Sequence, residues 1–351
     1  MNSMNFSTVN TKISAMNAKL LTDNDFTYIM NLQSVQEIFD YLNEDTALAD
    51  VLWDLKGVQV HINNFEQRLF QNKIFLVEKL MTYFNQEYKK LIKSYMLRYE
   101  IENLKLVFEV LQGRKKVENL MDHFFVFNNF SNIDYQSLLK KKSVLEVVEE
   151  IKDTKYYRLI LPYAQNEDEK FNFYVGMILN KYYYYQLIRN TQEILGDMDK
   201  KSIELLRRKI DLFNLEWIYR GMKYYDISKE EILNLVLDYG YLYNYNKLKD
   251  IIYKFDLNNI QEQFIHTPYE FLFDDKDNLD LFMDIRIDRY LYYKSLNLYN
   301  SSVLSFGKIA AFFELIDFQI KDIISIIESK RYQMPAEEIT KYLIRKIKVV
   351  V

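Results

Sequence analysis

Apolar residues recur along this chain at the spacing of an α-helix. Between Gly57 and Gly113 there is neither glycine nor proline, and apolar side chains follow one another at intervals of four and three residues. The positions are Phe70, Ile74, Val77, Met81, Phe84, Tyr88, Leu91 and Tyr95. This period places them on one face, so a long helix is predicted. A change of phase at Leu97 predicts a bend or a new helix there.

Two further stretches carry the same pattern, and each can bury its apolar stripe only against other helices. They are Ile203, Leu206, Ile210, Phe213 and Trp217, ending at Gly221, and Ile309, Phe313, Ile316, Ile320, Ile323 and Ile327. A last helix is predicted after Pro335, because proline and the following acidic residues suit a helix N-terminus. Its buried face would carry Ile339, Leu343 and Ile347.

One segment shows a period of two instead. From Leu237 to Tyr245, every second residue is Leu or Tyr, and the residues between are Asp238, Gly240, Leu242 and Asn244. This alternation is typical of a β-strand. No partner strand is evident, and an isolated strand is not stable, so a strand is the less favoured interpretation.

A capped helix that ends in threonine occurs three times. Ser143, Val147, Ile151, Thr154 and Tyr156 align without a gap on Asp256, Ile260, Phe264, Thr267 and Tyr269. An earlier copy, Ser34, Ile38, Leu42, Thr46 and Leu48, has one additional residue before the threonine. Ser and Asp are both favourable N-caps, so each copy is predicted to begin with a cap.

A pair of polar residues three positions apart, followed by aliphatic residues, also occurs three times. The pairs are Glu100 and Asn103, Asp211 and Asn214, and Gln319 and Asp322. On a helix such positions are neighbours, so the two side chains can bond to each other or clamp a neighbouring helix end. We interpret the pairs as structural locks, and the alternative is three equivalent contact points for a partner.

The internal repeat determines the expected architecture. The copies are about 110 residues apart, longer than the repeats of 20 to 50 residues that form solenoids. Each copy is therefore predicted to be a small helical lobe, with boundaries at 1–120, 121–235 and 236–351. The expected fold is all-α, with three similar lobes that can close around an axis in pseudo-threefold symmetry.

The amino-acid composition argues against several classes of function. With 7 Gly and 3 Pro in 351 residues, few positions require a helix to stop, and without Cys there is no disulfide or thiolate site. A net charge of -4 does not suit nucleic acid. No apolar stretch is long enough to span a bilayer, and the N-terminus lacks the apolar region of a signal peptide. A cytoplasmic protein is expected.

No catalytic, cofactor-binding or metal-binding residue is predicted. The sequence has no glycine-rich phosphate loop, and His61, His123 and His266 are isolated. The acidic stretch Asp274, Asp275, Asp277, Asp280 and Asp284 is similar to the magnesium-binding motif of helical prenyl-transferring enzymes, but no second acidic motif follows. We favour a solvated loop or helix start. The alternative is a magnesium-dependent enzyme that uses Asp274, Asp275 and Asp284.

Three segments carry a resemblance to a known family. They are NTKISAMNAKLLTDNDFTYIMNLQSVQEIFDYLNEDTAL at 10–48, DLFNLEWIYRGMKYYDIS at 211–228 and QIKDIISIIESKRYQMPAEEITKYL at 319–343. In this order, and over nearly the whole chain, they resemble the C subunit of the prokaryotic V/A-type rotary ATPases, a relative of the d subunit of the eukaryotic V-ATPase. The third copy departs from the family pattern at Gln319, Asp322 and Ser329, where Glu, Asn and Gly are usual.

The resemblance implies a funnel of three helical lobes. Its wide end contacts the membrane ring of proteolipid subunits, and its socket receives the central shaft of the catalytic head. The implied function is non-catalytic coupling of ATP hydrolysis or synthesis to proton or sodium transport. No cofactor, nucleic acid or direct small-molecule substrate is expected, and the chain would be peripheral to the cell membrane. An unrelated helical adaptor is a further alternative.

Overall fold

The computed structural model of the chain is all-helical, which confirms the predicted fold class. It describes residues 3–53, 62–113, 120–125, 131–165, 170–225, 227–254, 256–257, 259–274 and 278–347, and no β-strand occurs among them. The helices are α1 (Ser3–Asn17), α2 (Asp23–Asn31), α3 (Val35–Glu44), α4 (Ala49–Leu52), α5 (Ile62–Met81), α6 (Gln86–Leu111), α7 (Tyr135–Leu138), α8 (Val144–Glu150), α9 (Tyr157–Ala164), α10 (Phe171–Leu195), α11 (Lys200–Tyr224), α12 (Lys229–Leu235), α13 (Tyr245–Lys254), α14 (Ile260–Phe264), α15 (Met283–Ser301), α16 (Phe306–Arg331) and α17 (Ala336–Ile339).

Backbone contacts divide the chain into two compact units. Unit 1 consists of Met1–Phe84, Asp197–Leu205 and Phe264–Val351. Unit 2 consists of Asn85–Gly196 and Leu206–Gln263. The division into three lobes at 1–120, 121–235 and 236–351 stays a prediction.

Unit 1 is built around α16. This helix contacts α1, α3, α5 and α15, and it is apolar on several sides, as expected of a helix surrounded by others. Inside the unit, the Lys73 ammonium lies 2.5 Å from the Asp317 carboxylate, and both side chains are buried. Pairing compensates part of the hydration that each charge loses on burial.

Unit 2 is built on α6 and α10, which pack along each other. Helix α9 contacts α8 and α10, and helix α12 contacts α10 and α13. Phe108 and Phe171 meet edge to face with ring centres 5.5 Å apart. Between the two long helices, the buried Asn190 amide donates to the Ser94 hydroxyl at 2.6 Å. The core therefore combines aromatic packing with a paired polar contact.

The long helix predicted through the stripe from Phe70 to Tyr95 is two helices. Helix α5 ends at Met81 and α6 begins at Gln86, while the predicted change of phase near Leu97 lies inside α6. The Asn85 side chain accepts a hydrogen bond from the Tyr88 N–H at 3.2 Å and so caps α6. The four connecting residues keep the apolar spacing, so periodicity alone does not reveal the break.

Two of the other predicted helices agree with the structure, and the last one is much shorter than predicted. Helix α11 contains the second stripe and continues past Gly221 to Tyr224, and α16 contains the third. The last helix, α17, is only four residues long and begins directly after Pro335. Ile339 and Leu343 are buried as predicted, but Leu343 and Ile347 both lie beyond the helix, and Ile347 is partly exposed, so the predicted length of this helix is wrong.

The cap of α6 can be tested by mutation. Asn85→Ala removes the acceptor for the Tyr88 N–H, and we expect the free energy of unfolding to fall by about 1 kcal/mol. Asn85→Ser keeps a capping oxygen and should lose much less. Chemical denaturation followed by circular dichroism measures both variants, and equal losses would contradict the assigned cap.

Candidate functional site

The three aligned threonines make the same turn. In each copy the hydroxyl donates to a carbonyl at the end of the preceding helix or turn and accepts from the N–H two residues later. Thr46 bonds to Leu42 O (2.6 Å) and Leu48 N (3.1 Å), Thr154 to Ile151 O (2.7 Å) and Tyr156 N (3.2 Å), and Thr267 to Phe264 O (2.8 Å) and Tyr269 N (3.3 Å). The repeat is therefore present at the level of single hydrogen bonds.

Two of the three predicted N-caps are present. Ser34 caps α3, and Ser143 caps α8, each accepting from an N–H three residues later. Asp256 does not cap a helix, because α14 begins only at Ile260. The backbone carbonyl of Asp256 instead accepts from the Asn259 N–H at 3.2 Å, which forms a turn before the helix. The prediction for Asp256 is wrong.

All six residues of the repeated polar pairs are buried in the core. We call Glu100 with Asn103, Asp211 with Asn214, and Gln319 with Asp322 the first, second and third polar anchor. The second member of each pair bonds to backbone 22 or 23 residues further along the chain. Each anchor thus ties a long helix to a segment that follows it.

The second polar anchor holds the loop after α12. The Asn214 amide donates to the Leu237 carbonyl at 2.8 Å, and its oxygen accepts from the Leu237 N–H at 2.9 Å. The Asp211 carboxylate accepts from three successive N–H groups, those of Tyr241 (3.0 Å), Leu242 (2.8 Å) and Tyr243 (3.2 Å). Residues 237–244 of the segment with a period of two are therefore a loop wrapped on a buried carboxylate, neither strand nor helix, and Tyr245 begins α13.

Gly240 makes this wrapping sterically feasible. A Cβ atom at this position would lie 2.0 Å from the Asp211 Oδ1 atom and 2.5 Å from the Tyr243 carbonyl oxygen. Both distances are far below van der Waals contact, so only glycine fits without displacing the loop. Sequence reasoning missed this residue. The available signal was a single glycine within an otherwise bulky, tyrosine-rich segment.

The first polar anchor repeats the amide contact. Asn103 donates to the Phe125 carbonyl and accepts from the Phe125 N–H, both at 2.8 Å. The Glu100 carboxylate accepts from the Tyr156 hydroxyl. Burial raises the pKa of Tyr156, and the charge of Glu100 raises it further, so the hydroxyl stays a donor. Because the Thr154 turn leads directly into Tyr156, the two repeated sequence patterns meet at this bond.

The third polar anchor uses different chemistry for the same purpose. The Asp322 carboxylate accepts from the Ile344 N–H at 2.7 Å, but unlike an amide it has no proton for a carbonyl. Arg289 of α15 supplies the missing donors, to the carbonyls of Leu343 (2.5 Å) and Ile344 (3.2 Å). Gln319 accepts from the Leu21 N–H at 2.7 Å, so this anchor also fixes the segment before α2.

Arg345 completes the third polar anchor. Its Nε donates to Asp322 at 2.9 Å, and its guanidinium lies over the Phe26 ring, 3.8 Å from the centre. Burial raises the pKa of Asp322 to about 6, although the positive charge of Arg345 acts in the opposite direction. The ion pair with the guanidinium of Arg345 favours the ionised form of the carboxylate. Neither Arg289 nor Arg345 was predicted, because nothing in their local sequence marks them.

Two structural features are relevant to the alternative functions, namely possible metal sites and possible membrane-spanning helices. Among the described residues, no group of three or more His, Asp or Glu side chains could hold a metal ion. Asp275, Asp277 and His61 lie outside the described residues, so the magnesium hypothesis with Asp274, Asp275 and Asp284 is not tested. None of the described helices is long and apolar enough to cross a membrane.

Comparison with known families decides what kind of protein carries these anchors. Residues 9–342 match the model of the family described as ATP synthase (C/AC39) subunit. The chain belongs to this family. The resemblance inferred from the sequence is confirmed, and the match includes all three polar anchors.

Curated relatives support this membership at low sequence identity. The chain is 25% identical to the C subunit of the A-type ATP synthase of Methanosarcina mazei over 260 residues, 74% of this chain and 70% of the relative. It is 22% identical to the C subunit of the A-type ATP synthase of Methanocaldococcus jannaschii over 342 residues, 96% of this chain and 85% of the relative. These comparisons identify the chain as a subunit of a rotary ATPase. The family is non-catalytic, which agrees with the prediction that the chain is not an enzyme.

Because Gly240 lies so close to Asp211, we expect that adding one methyl group at this position lowers the stability of the protein. Gly240→Ala forces the loop away from Asp211, and we expect the free energy of unfolding to fall by about 1–3 kcal/mol. Gly176→Ala in α10 is the matched control, because the nearest atom to its new Cβ is the end of the Lys105 side chain at 4.0 Å. There alanine should be neutral or stabilise by up to about 1 kcal/mol. Denaturant unfolding of both variants checks this, and similar losses would contradict the steric role of Gly240.

The third polar anchor predicts a coupling between Arg289 and Asp322. Arg289→Ala leaves two carbonyls without their donor, which should cost about 1–3 kcal/mol of unfolding free energy. In an Asp322→Asn background the new amide can donate to Ile344, so Arg289→Ala should cost less. A double-mutant cycle measured by denaturation gives the coupling.

The control for this cycle is Asp322→Ala, which removes the charge without supplying a donor. If alanine and asparagine reduce the cost of Arg289→Ala equally, the effect is purely electrostatic and the assigned exchange of donors is wrong.

Proposed function

We propose that this chain is the non-catalytic central-stalk subunit that couples the rotating shaft of the catalytic head to the membrane proteolipid ring. ATP hydrolysis or synthesis would thereby be linked to proton or sodium transport. The chain would be a peripheral part of the complex, and its partners would be the shaft subunits and the ring. Family membership supports the assembly, and the structure supports the mechanical role.

The observation that carries this proposal is the anchor plan that occurs three times. In every copy, a buried polar side chain of a long helix bonds to backbone 22 or 23 residues later. Three copies of one plan favour three similar lobes arranged around a common axis, and with boundaries at 1–120, 121–235 and 236–351 the bonds of Asn103 and Asn214 would join one lobe to the next. An axis surrounded by similar lobes suits a socket for a shaft.

The polar anchors suit a part that carries load. A single buried hydrogen bond contributes only about 0.5–1.5 kcal/mol net, but leaving its groups unpaired costs about 1–3 kcal/mol each. Asp211 and Asn214 together make five bonds to one loop, so that loop can slip only if several bonds break together. Since these atoms are buried and already bonded, we propose a structural lock and not a direct contact point for a partner.

Purification of the native complex tests the function. A tag on this chain, used after detergent solubilisation of the membranes of its own host, should recover the catalytic head subunits and the proteolipid. In vesicles reconstituted with that complex, ATP should drive ion uptake. A complex that lacks this chain should still hydrolyse ATP but transport far fewer ions.

The controls separate assembly from function. If neither head subunits nor proteolipid co-purify, the proposed function is wrong, and recovery of an unrelated set of proteins would favour the helical adaptor. If the complex assembles without this chain and transports ions normally, the chain is not the coupling element.

A further inference from the structure

Unit 2 contains a cleft beside the loop that the second polar anchor holds. Its volume is about 430 Å³, and residues of α9, α10, α12 and the loop line it. The lining is mostly apolar and aromatic and includes Leu159, Ile178, Leu233, Tyr182, Tyr185 and Tyr239. A cleft of this size and lining, with few polar groups, has the properties of a small-molecule site.

A lysine with unused hydrogen-bonding capacity lines the cleft. The Lys181 ammonium donates to the Asn234 carbonyl at 2.7 Å, and no carboxylate among the described residues lies within ion-pair distance. Two of its three N–H groups therefore have no acceptor in the described part of the chain. Burial lowers the pKa of Lys181. A carboxylate placed against this group would supply the missing counter-charge.

A carboxylate of the opposite charge lines the same cleft. One oxygen of Asp238 accepts from the Tyr245 N–H at 2.5 Å, and the other has no donor among the described residues. The polar anchor fixes the loop on both sides of Asp238, through Leu237 and through Tyr241. The negative group is therefore held in place before any ligand arrives, which lowers the entropic cost of binding.

We propose that this cleft binds a small zwitterion with an apolar side chain, of the class of free aromatic α-amino acids. The ligand carboxylate pairs with Lys181, and its ammonium pairs with Asp238. The tyrosine rings favour both the cation and an aromatic side chain, through cation–π attraction and ring packing. The leucine and isoleucine side chains cover the remainder of the ligand.

The balance of charge distinguishes this class from others. A simple carboxylic acid can form an ion pair with Lys181 but not with Asp238. A simple amine can form an ion pair with Asp238 but not with Lys181. A phosphate carries more negative charge than one ammonium can neutralise, and Asp238 would repel it. A ligand with one charge of each sign can pair with both groups.

Three probes of similar shape test the proposal on the full-length chain. L-phenylalanine carries both charges, 3-phenylpropionate lacks the ammonium, and phenethylamine lacks the carboxylate. Ligand-observed NMR titration should show saturable binding of L-phenylalanine, about tenfold or more tighter than either of the other two, because each pairing is a charge-assisted hydrogen bond.

Substitutions assign each charge to its residue. Lys181→Met should abolish the advantage of L-phenylalanine over phenethylamine, and Asp238→Asn should abolish its advantage over 3-phenylpropionate. Lys229→Met is the matched control, since the Lys229 ammonium also donates to a backbone carbonyl, that of Tyr253 at 2.9 Å, but does not line the cleft. This variant should bind all three probes as the unmodified chain does.

Absence of saturable L-phenylalanine binding overturns the proposal. So does unchanged probe selectivity in Lys181→Met or Asp238→Asn when thermal unfolding shows that the variant is folded. Where a variant unfolds, the selectivity among the three probes on the unmodified chain decides by itself. The assay needs no other subunit, so its failure is distinct from a failure of the proposed coupling function.

Discussion

When the backbone leaves a helix but stays in the core, its N–H and C=O groups need new hydrogen-bond partners. The rest of this structure depends on the side chains that provide those partners. An unpaired buried group costs about 1–3 kcal/mol, so such loops are excluded unless something pairs them. Here side chains on long helices provide the partners. Asp211 and Asn214 alone pair five groups of one loop, and the shape of that loop follows from them.

The three copies keep this role while changing the residues that perform it. An asparagine can bond both to an N–H and to a carbonyl, as Asn103 and Asn214 do. An aspartate can accept only, so the third copy needs a donor from a neighbouring helix, and Arg289 provides it. A substitution that breaks a motif in sequence is thus compensated in space, at a position that no local pattern indicates.

The sequence predicts where the long helices lie better than it predicts where they end. It also predicts the residues of the polar anchors better than the groups to which they bond. Apolar stripes identify α11 and α16, but the break at Asn85 is hidden because the connecting residues keep the spacing. The six anchor residues were recognisable because polar pairs recur at nearly equal intervals. Their partners are mostly backbone atoms, which every residue has, so no residue type identifies them. Arg289 is visible only after folding brings α15 beside the end of the chain.

The fixed distance between each anchor and the backbone it binds has a consequence for how such a chain can change in length. In the three copies, hydrogen bonds close a loop of chain between the second anchor residue and a backbone position 22, 23 and 22 residues later. The stretch from each repeated threonine to the second anchor residue lies outside this closed loop, and it measures 57, 60 and 55 residues. Among the three copies, the closed loop therefore varies in length by one residue, whereas the stretch before it varies by five, so the bonds to the anchor coincide with the part of each copy whose length is nearly constant.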